Sequence, residues 1–436
     1  MEDIAIIAAV VLAYALVSRR LARTVLTGPM LFFAFGAIAG PDGLDIVDLR
    51  FDNDVLDSLA RATLVLVLFN DASLIDWPVF WRNRAIPARL LGVGLPLCIG
   101  LGAVIAKLMV PGIEFWQAAL VAVLLAPTDA ALGQAVVTNT KVPITVRESL
   151  SVESGLNDGI ASPLVPLFIA GALIEGPTES SSFWVTALEE IGLGLAVGVI
   201  GGLVGAVLIG RASRLRLMTR TFQQISVAVL PILFLGVSES IDGNAFIAAF
   251  VGGIVFGNVA RHVPGHFFEF SEQASQVLLL VTFMLFGAMF AADAFDGLDW
   301  QVIVYAFLSL VLIRPVTAAF SLIGTGFNWR TLVFMGWFGP RGLASIVFIL
   351  IVLAEEGLPG SHAMFLVVAW TVAFSIFAHG LTAQPAATLY GRRADSLPEG
   401  AKAPEMAGGD TFFLSTARLT GPLGARYRNE EAELAD

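Results

Sequence analysis

Cysteine is almost missing from this chain, Cys98 being the only one. One thiol can form neither an intramolecular disulfide nor a cysteine-rich metal site. Histidine is scarce as well, with four residues in all, His262, His266, His362 and His379. Apart from an i,i+4 pair in a loop they have no metal-ligand spacing, so structural or solvated roles are expected of them. Charge is thin throughout: Asp, Glu, Lys and Arg make up 14% of the chain, where soluble domains carry about a quarter. The beginning, Met1-Glu2-Asp3, lacks the basic stretch of a cleaved signal peptide, so the first apolar run reads as a retained helix.

What is abundant is apolar surface. Hydrophobic residues reach 57% and the mean hydropathy is +0.82. Together these describe an all-α polytopic membrane protein. Stretches of spanning length number thirteen: 3–18, 27–40, 55–75, 89–110, 114–137, 144–174, 184–210, 219–238, 243–259, 269–290, 299–323, 330–354 and 361–388. Residues 391–436 form a polar tail too short for a substantial soluble domain. The glycine-rich stretch 192–205 lies inside a span and follows no predicted strand, so it reads as close helix packing and not as a dinucleotide fingerprint. No cofactor, nucleic-acid partner or enzymatic activity is expected.

Loop charge tests the count. Loops after odd-numbered segments hold Arg19, Arg20 and Arg23, then Arg82, Arg84 and Arg89, Lys141 and Arg147, Arg211 to Arg220, Arg261 and Arg330. Arg392 and Arg393 follow the last segment. Loops after even-numbered segments hold Arg50 and otherwise acids, among them Asp42, Asp45, Glu175, Glu179, Glu239, Asp242, Asp293, Asp296, Asp299, Glu355 and Glu356. Arginine and lysine collect on the cytoplasmic side. The pattern therefore expects an odd number of spans, the N-terminus outside and the C-terminus in the cytoplasm of a plasma (bacterial inner) membrane.

Against this apolar background one run is anomalous: Glu153-Ser154-Gly155-Leu156-Asn157-Asp158-Gly159, inside the sixth segment. An ionised carboxylate at the bilayer centre costs roughly 3 kcal/mol on insertion scales unless it has a partner, water or a bound ion. Helical spacing puts Ser154 and Asp158 on one face and Glu153 and Asn157 on a neighbouring one. A serine oxygen beside a carboxylate suits a small hard cation; the alternative is that these groups only hold helices together.

Two further segments are interrupted. The fifth reads Ala126-Pro127-Thr128-Asp129 and the twelfth Gly339-Pro340-Arg341-Gly342. Proline removes a backbone donor and breaks the helix, and broken backbone within a membrane survives only inside protein or beside a water-filled cavity. At 1.5 Å per residue, Asp158 lies about 20 Å along its segment, Arg341 roughly 16 Å and Asp129 roughly 22 Å. All three fall in the middle of a core about 30 Å thick. The breaks occupy corresponding places in segments four to six and eleven to thirteen and run in opposite directions. Paired interruptions of that kind mark the binding site of a transporter built from two inverted repeats.

These residues resemble the cation/proton antiporter-1 family, the sodium/proton exchangers. Glu153–Gly159 looks like the family's Glu-Ser-x-x-Asn-Asp run, Thr128-Asp129 like its Thr-Asp pair and Gly339–Gly342 like its arginine motif, with a matching plan of thirteen spans up to about residue 390. The resemblance implies that Asp158 binds either cation or proton, and that Asp129, Ser154 and the backbone oxygen of Thr128 complete the monovalent-cation site. It implies that Glu153 pairs with Arg341 as a structural tie, with Asn157 bonding near the crossing. It also implies a homodimer in which core helices, about 89–174 and 299–388, move against dimerisation helices, about 3–75 and 184–290. Members commonly carry Phe-Glu on the third segment. Here the stretch is Phe69-Asn70-Asp71, so Asp71 either replaces that glutamate or is a solvated helix end.

The expected activity is exchange of Na⁺, Li⁺ or K⁺ for H⁺, serving pH and sodium homeostasis. Proton and cation compete for one carboxylate, and rocking of the core exposes it to alternate sides. With neutral Asn157 beside Asp158, the exchange is expected to be electroneutral. A channel would need a filter of repeated carbonyls or a charged ring, and no such repeat occurs. Nor does any stretch resemble a protease or phosphatase motif.

Overall fold

The computed structural model describes residues 2–22, 24–40, 43–46, 53–75, 77–129, 131–139, 141–174, 181–260, 265–355 and 357–395. The first half of the chain contains α1 (Glu2–Leu21), α2 (Gly28–Ala39), α3 (Asn53–Leu74), α4 (Trp77–Asn83), α5 (Ala85–Arg89), α6 (Leu95–Met109), α7 (Phe115–Leu124) and α8 (Gln134–Val137). Next come α9 (Ile144–Ala161), α10 (Leu164–Ile174), α11 (Ser181–Arg214), α12 (Arg220–Ser240) and α13 (Ala245–Val259). The remainder is α14 (Glu269–Asp293), α15 (Trp300–Leu308), α16 (Arg314–Ser321), α17 (Trp329–Trp337), α18 (Leu343–Ala354) and α19 (Ser361–Asp395).

Each of the thirteen apolar stretches holds helix. Among the described residues seven helical runs are long and apolar enough to cross a membrane, and four shorter apolar helices accompany them. Several ends are set by caps: Asn244 Oδ1 accepts from the N–H groups of Phe246 and Ile247 at 3.1 and 3.0 Å, and Asn328 Oδ1 from that of Arg330 at 3.1 Å. These bonds satisfy donors that a helix N-terminus leaves open. The helix at the end runs to Asp395, five residues beyond the expected start of the polar tail. Arg392 and Arg393 lie in its last turn, where cations favour the helix dipole. The tail beyond Asp395, and Arg23, Asp42, Arg50, Glu175, Glu179, Arg261, His262 and Glu356, lie outside the described residues.

Packing separates two groups. Helices α2, α3 and α11–α14 pack on one another, while α6, α7 and α10 pack together and α15 and α18 pack against α19. The shared elements are α9, which touches α3, α13 and α17, and α18, which touches α3 and α14. Thus the polar run of the sixth segment lies at the join.

A corresponding irregularity appears in both repeats. Between α5 and α6 residues Leu90–Gly94 form a π-helical turn, and between α15 and α16 residues Ser309–Ile313 form another. Each is followed at the second position by proline, Pro96 or Pro315. A proline ring obstructs the carbonyl four residues back; those carbonyls belong to Gly92 and Val311, inside the widened turns. The turn thereby absorbs the proline without ending the helix.

In the second repeat the π turn leads directly into Arg314, which is 4% exposed and donates from a guanidinium nitrogen to Glu153 Oε1 at 2.5 Å. This corrects the expected tie between Glu153 and Arg341. Arg341 follows the chain break, and its guanidinium lies 3.1 Å from the carbonyls of Ala126 and Pro127. The charge that neutralises Glu153 comes from the eleventh segment, not the twelfth.

Removing one partner of a buried ion pair strands the other, at a cost of about 3–5 kcal/mol. Arg314→Ala should therefore lower the thermal midpoint in detergent sharply, and Glu153→Gln combined with Arg314→Met should recover much of the loss. Equal midpoints for wild type and Arg314→Ala would show that the pair does not hold the fold.

Candidate functional site

Two non-helical segments cross at the join. One runs from the end of α7 at Leu124 to the start of α8, and the other, residues 338–342, separates α17 from α18. They are bonded backbone to backbone, Asp129 N–H to the Pro340 carbonyl at 2.8 Å. Each break exposes helix ends with unpaired backbone groups, and side chains of opposite charge take them up. Asp129 Oδ2 accepts from Leu343 N–H at 2.9 Å, the first residue of α18. Its Oδ1 accepts from the N–H groups of Ala131 and Leu132 at 2.7 and 3.3 Å. An acid thus sits at a helix N-terminus, where the dipole favours it.

Arg341 does the reverse. It is fully buried, and its bonds to Ala126 and Pro127 place a cation just past the C-terminal end of α7. A second guanidinium nitrogen lies 3.6 Å from Cys98 Sγ. Ser345 Oγ donates to the Leu124 carbonyl at 2.7 Å, satisfying a further acceptor at that end. Close approach explains two glycines. A Cβ on Gly342 would collide with Asp129 Oδ2, and one on Gly339 would collide with the Arg314 side chain.

The α9 run meets this crossing from the side. Glu153, Ser154, Asn157 and Asp158 are all buried. Ser154 Oγ donates to the Thr128 carbonyl at 2.5 Å, and Asn157 Nδ2 to Thr128 Oγ1 at 2.6 Å. Thr128 is therefore held at two points and its carbonyl converges with Ser154 Oγ. Asp158 Oδ1 and Asn157 Oδ1 are buried and accept no hydrogen bond from the protein. The two carboxylates are thus unlike. Asp129 uses three of roughly four acceptor positions on backbone N–H groups, whereas Asp158 has an oxygen with no protein donor.

Asp71 also reaches this region. A Cβ on Gly155 would lie 3.3 Å from Asp71 Cβ, so the α3 side chain faces α9 three residues before Asp158. Its charge acts on Asp158 and Asp129, and Glu272 of α14 acts on it in turn. The neighbouring Asn70 is engaged elsewhere, its Oδ1 accepting from Ser271 Oγ at 2.8 Å and joining α3 to α14.

All the expected site residues, Asp158, Asp129, Ser154, Thr128, Glu153, Asn157, Arg341 and Asp71, meet within one region. Arg314, Ser345, Ser375 and His379 join them unforeseen. A lone arginine within an apolar span was the available signal for Arg314, since intramembrane charge is rare and costly. The donor set of two carboxylates, a hydroxyl and a backbone carbonyl is all oxygen, as a small hard cation requires.

The comparisons agree with this geometry. The K⁺/H⁺ antiporter NhaP of Alkalimonas amylolytica is 24% identical over 376 residues, 85% of this chain. The chain spans 63% of the length of that relative. An Na⁺/H⁺ antiporter of Schizosaccharomyces pombe is 26% identical over 339 residues, 71% of this chain and 70% of that protein. The fold is similar to that of the sodium proton antiporter MjNhaP1 from Methanocaldococcus jannaschii, with a TM-score of 0.72 at 18% identity, covering 91% of this chain and 99% of that one. Residues 6–389 match the family described as sodium/hydrogen exchanger, transmembrane. With helices, crossed breaks and polar run all inside that match, the chain belongs to the sodium/hydrogen exchanger family.

Proposed function

We propose that this protein exchanges a monovalent cation for a proton across a membrane, with the two competing for Asp158. The observation that carries the reading is the buried Asp158 oxygen without a protein donor, beside an Asp129 that backbone N–H groups already hold. A buried carboxylate is stable when neutralised, by a bound proton or by a bound cation. Occupation by one displaces the other, and that exclusion is the coupling. Ser154 keeps its lone pairs while its hydroxyl proton points at Thr128, so Ser154 Oγ, the Thr128 carbonyl and Asp129 can complete an oxygen cage.

Alternating access requires one group of helices to move past the other. The division of packing supports a core of 89–174 and 299–388 moving against helices 3–75 and 184–290, the latter forming the homodimer contact. The loop arginines support an N-terminus outside and a C-terminus in the cytoplasm of the plasma membrane. Asp71, which faces α9 at Gly155, is assigned a supporting negative charge on the approach to the site. The relatives' names divide between K⁺ and Na⁺. The direct test is therefore proteoliposomes loaded with a pH dye and given NaCl, LiCl and KCl in turn; absence of any cation-driven pH change would refute antiport.

Asp158→Asn is expected to abolish exchange in those liposomes while the protein still inserts and elutes as a folded species. The amide can coordinate weakly but cannot take up and release a proton. Wild-type proton movement in this variant would sink the site assignment.

Charge movement provides a separate check. With Asn157 neutral, one cation replaces one proton and a turnover moves no net charge. An imposed membrane potential, set by K⁺ and valinomycin or by a thiocyanate gradient if K⁺ is carried, should leave the exchange rate almost unchanged. A rate that follows the voltage would mean that a second acid titrates in the cycle.

A further inference from the structure

The second break is held from one side by a single helix. His379 of α19 is 1% exposed, and its Nε2 lies 2.9 Å from the carbonyl of Trp337, the last residue of α17. A carbonyl only accepts, so Nε2 carries the proton and donates it. The Trp337 ring lies against the imidazole, with centroids 5.0 Å apart, and its Nε1 donates to Thr382 Oγ1 at 2.9 Å one turn further along α19. On the other side of the break, Ser375 Oγ accepts from the Arg341 backbone N–H at 2.6 Å. Ser375 Oγ is in turn 3.1 Å from His379 Nδ1. His379 thus joins both flanks of residues 338–340, through Trp337 directly and through Ser375 to Arg341.

Those flanks carry what orients the site. Pro340 and Leu343 supply the two bonds by which the second break holds Asp129, and Arg341 holds the first break at Ala126 and Pro127. The geometry points to His379 as a positioning residue for cation binding: it fixes the register of residues 337–343 and so presents Asp129 to the ion. This rests on the placement of the ion at Asp158 and Asp129 given above. The imidazole touches neither carboxylate. Its effect is on how well ordered the oxygen cage is before the ion arrives, and loss of preorganisation weakens binding.

The test compares initial exchange rates over a range of NaCl and of KCl for wild type, His379→Leu, His379→Gln and Ser375→Ala in the same proteoliposomes. His379→Leu keeps the bulk and loses both polar contacts. Its KM for the cation should rise on the order of tenfold with the saturated rate within about twofold, the pattern of lost ground-state binding. His379→Gln, whose Nε2 can still donate to Trp337, should recover a good part of the loss. Ser375→Ala leaves the Trp337 contact in place and should raise KM in the same direction, so it carries the test if His379→Leu does not fold. An unchanged KM in the variants, or a glutamine variant no better than leucine, would overturn the assignment of His379. Wild-type liposomes that show no cation-driven exchange would instead overturn the antiport reading on which it rests.

Discussion

Everything near the site depends on two interrupted helices compensating each other's open ends. Alone, each break would leave backbone donors or acceptors unsatisfied in a low-dielectric interior, which costs several kcal/mol. Crossed, the breaks exchange charges. Asp129 from the first caps the start of α18, and Arg341 from the second neutralises the carbonyls at the end of α7. Neither break is stable without the other, so the chain must bring segments more than two hundred residues apart together before either can form. Proline starts each interruption, and glycine at 342 permits the contact that closes it.

This arrangement also explains why the two neighbouring carboxylates do not do the same work. Asp129 is built into the backbone, with three N–H donors around it. Asp158 projects from an intact stretch of α9 that has no open ends to satisfy, and one of its oxygens meets no donor. Glu153, one turn earlier on the same helix, is neutralised by Arg314. Three acids thus share one small volume in three states: capped, paired and unengaged. Only the last has an oxygen left for a visiting charge.

Most of the architecture was legible in the sequence because the membrane forces it to be. Apolar length gives the spans, the arginines give their alternation, and a proline with a charge inside a span has few structural meanings. The polar run and both breaks were found for that reason, and so was their convergence at mid-depth. What was not legible was rotation about a helix axis. Counting along segments places Arg341 at the right depth for Glu153, but not which way it points once the chain leaves α17. Arg314 lies at a comparable depth in a segment that looks like continuous apolar helix. Its aim depends on the π turn, which leaves no compositional mark beyond an Arg-Pro pair. His379 escaped notice because a lone histidine in an apolar helix is usually just satisfied in place, and its partners are set by folding.

The π turns have a consequence for how the chain can change in length. A surface loop tolerates insertion or deletion because its ends stay where they are. Within Ser309–Ile313 the loss of one residue would restore an ordinary α-helical turn and rotate everything after it by about 100°. Arg314 would then face away from Glu153, although no residue of the pair had been altered. The same holds for Leu90–Gly94, beyond which Cys98 meets the Arg341 guanidinium. In these two segments the number of residues is itself a constraint, one that a tally of substitutions would never reveal.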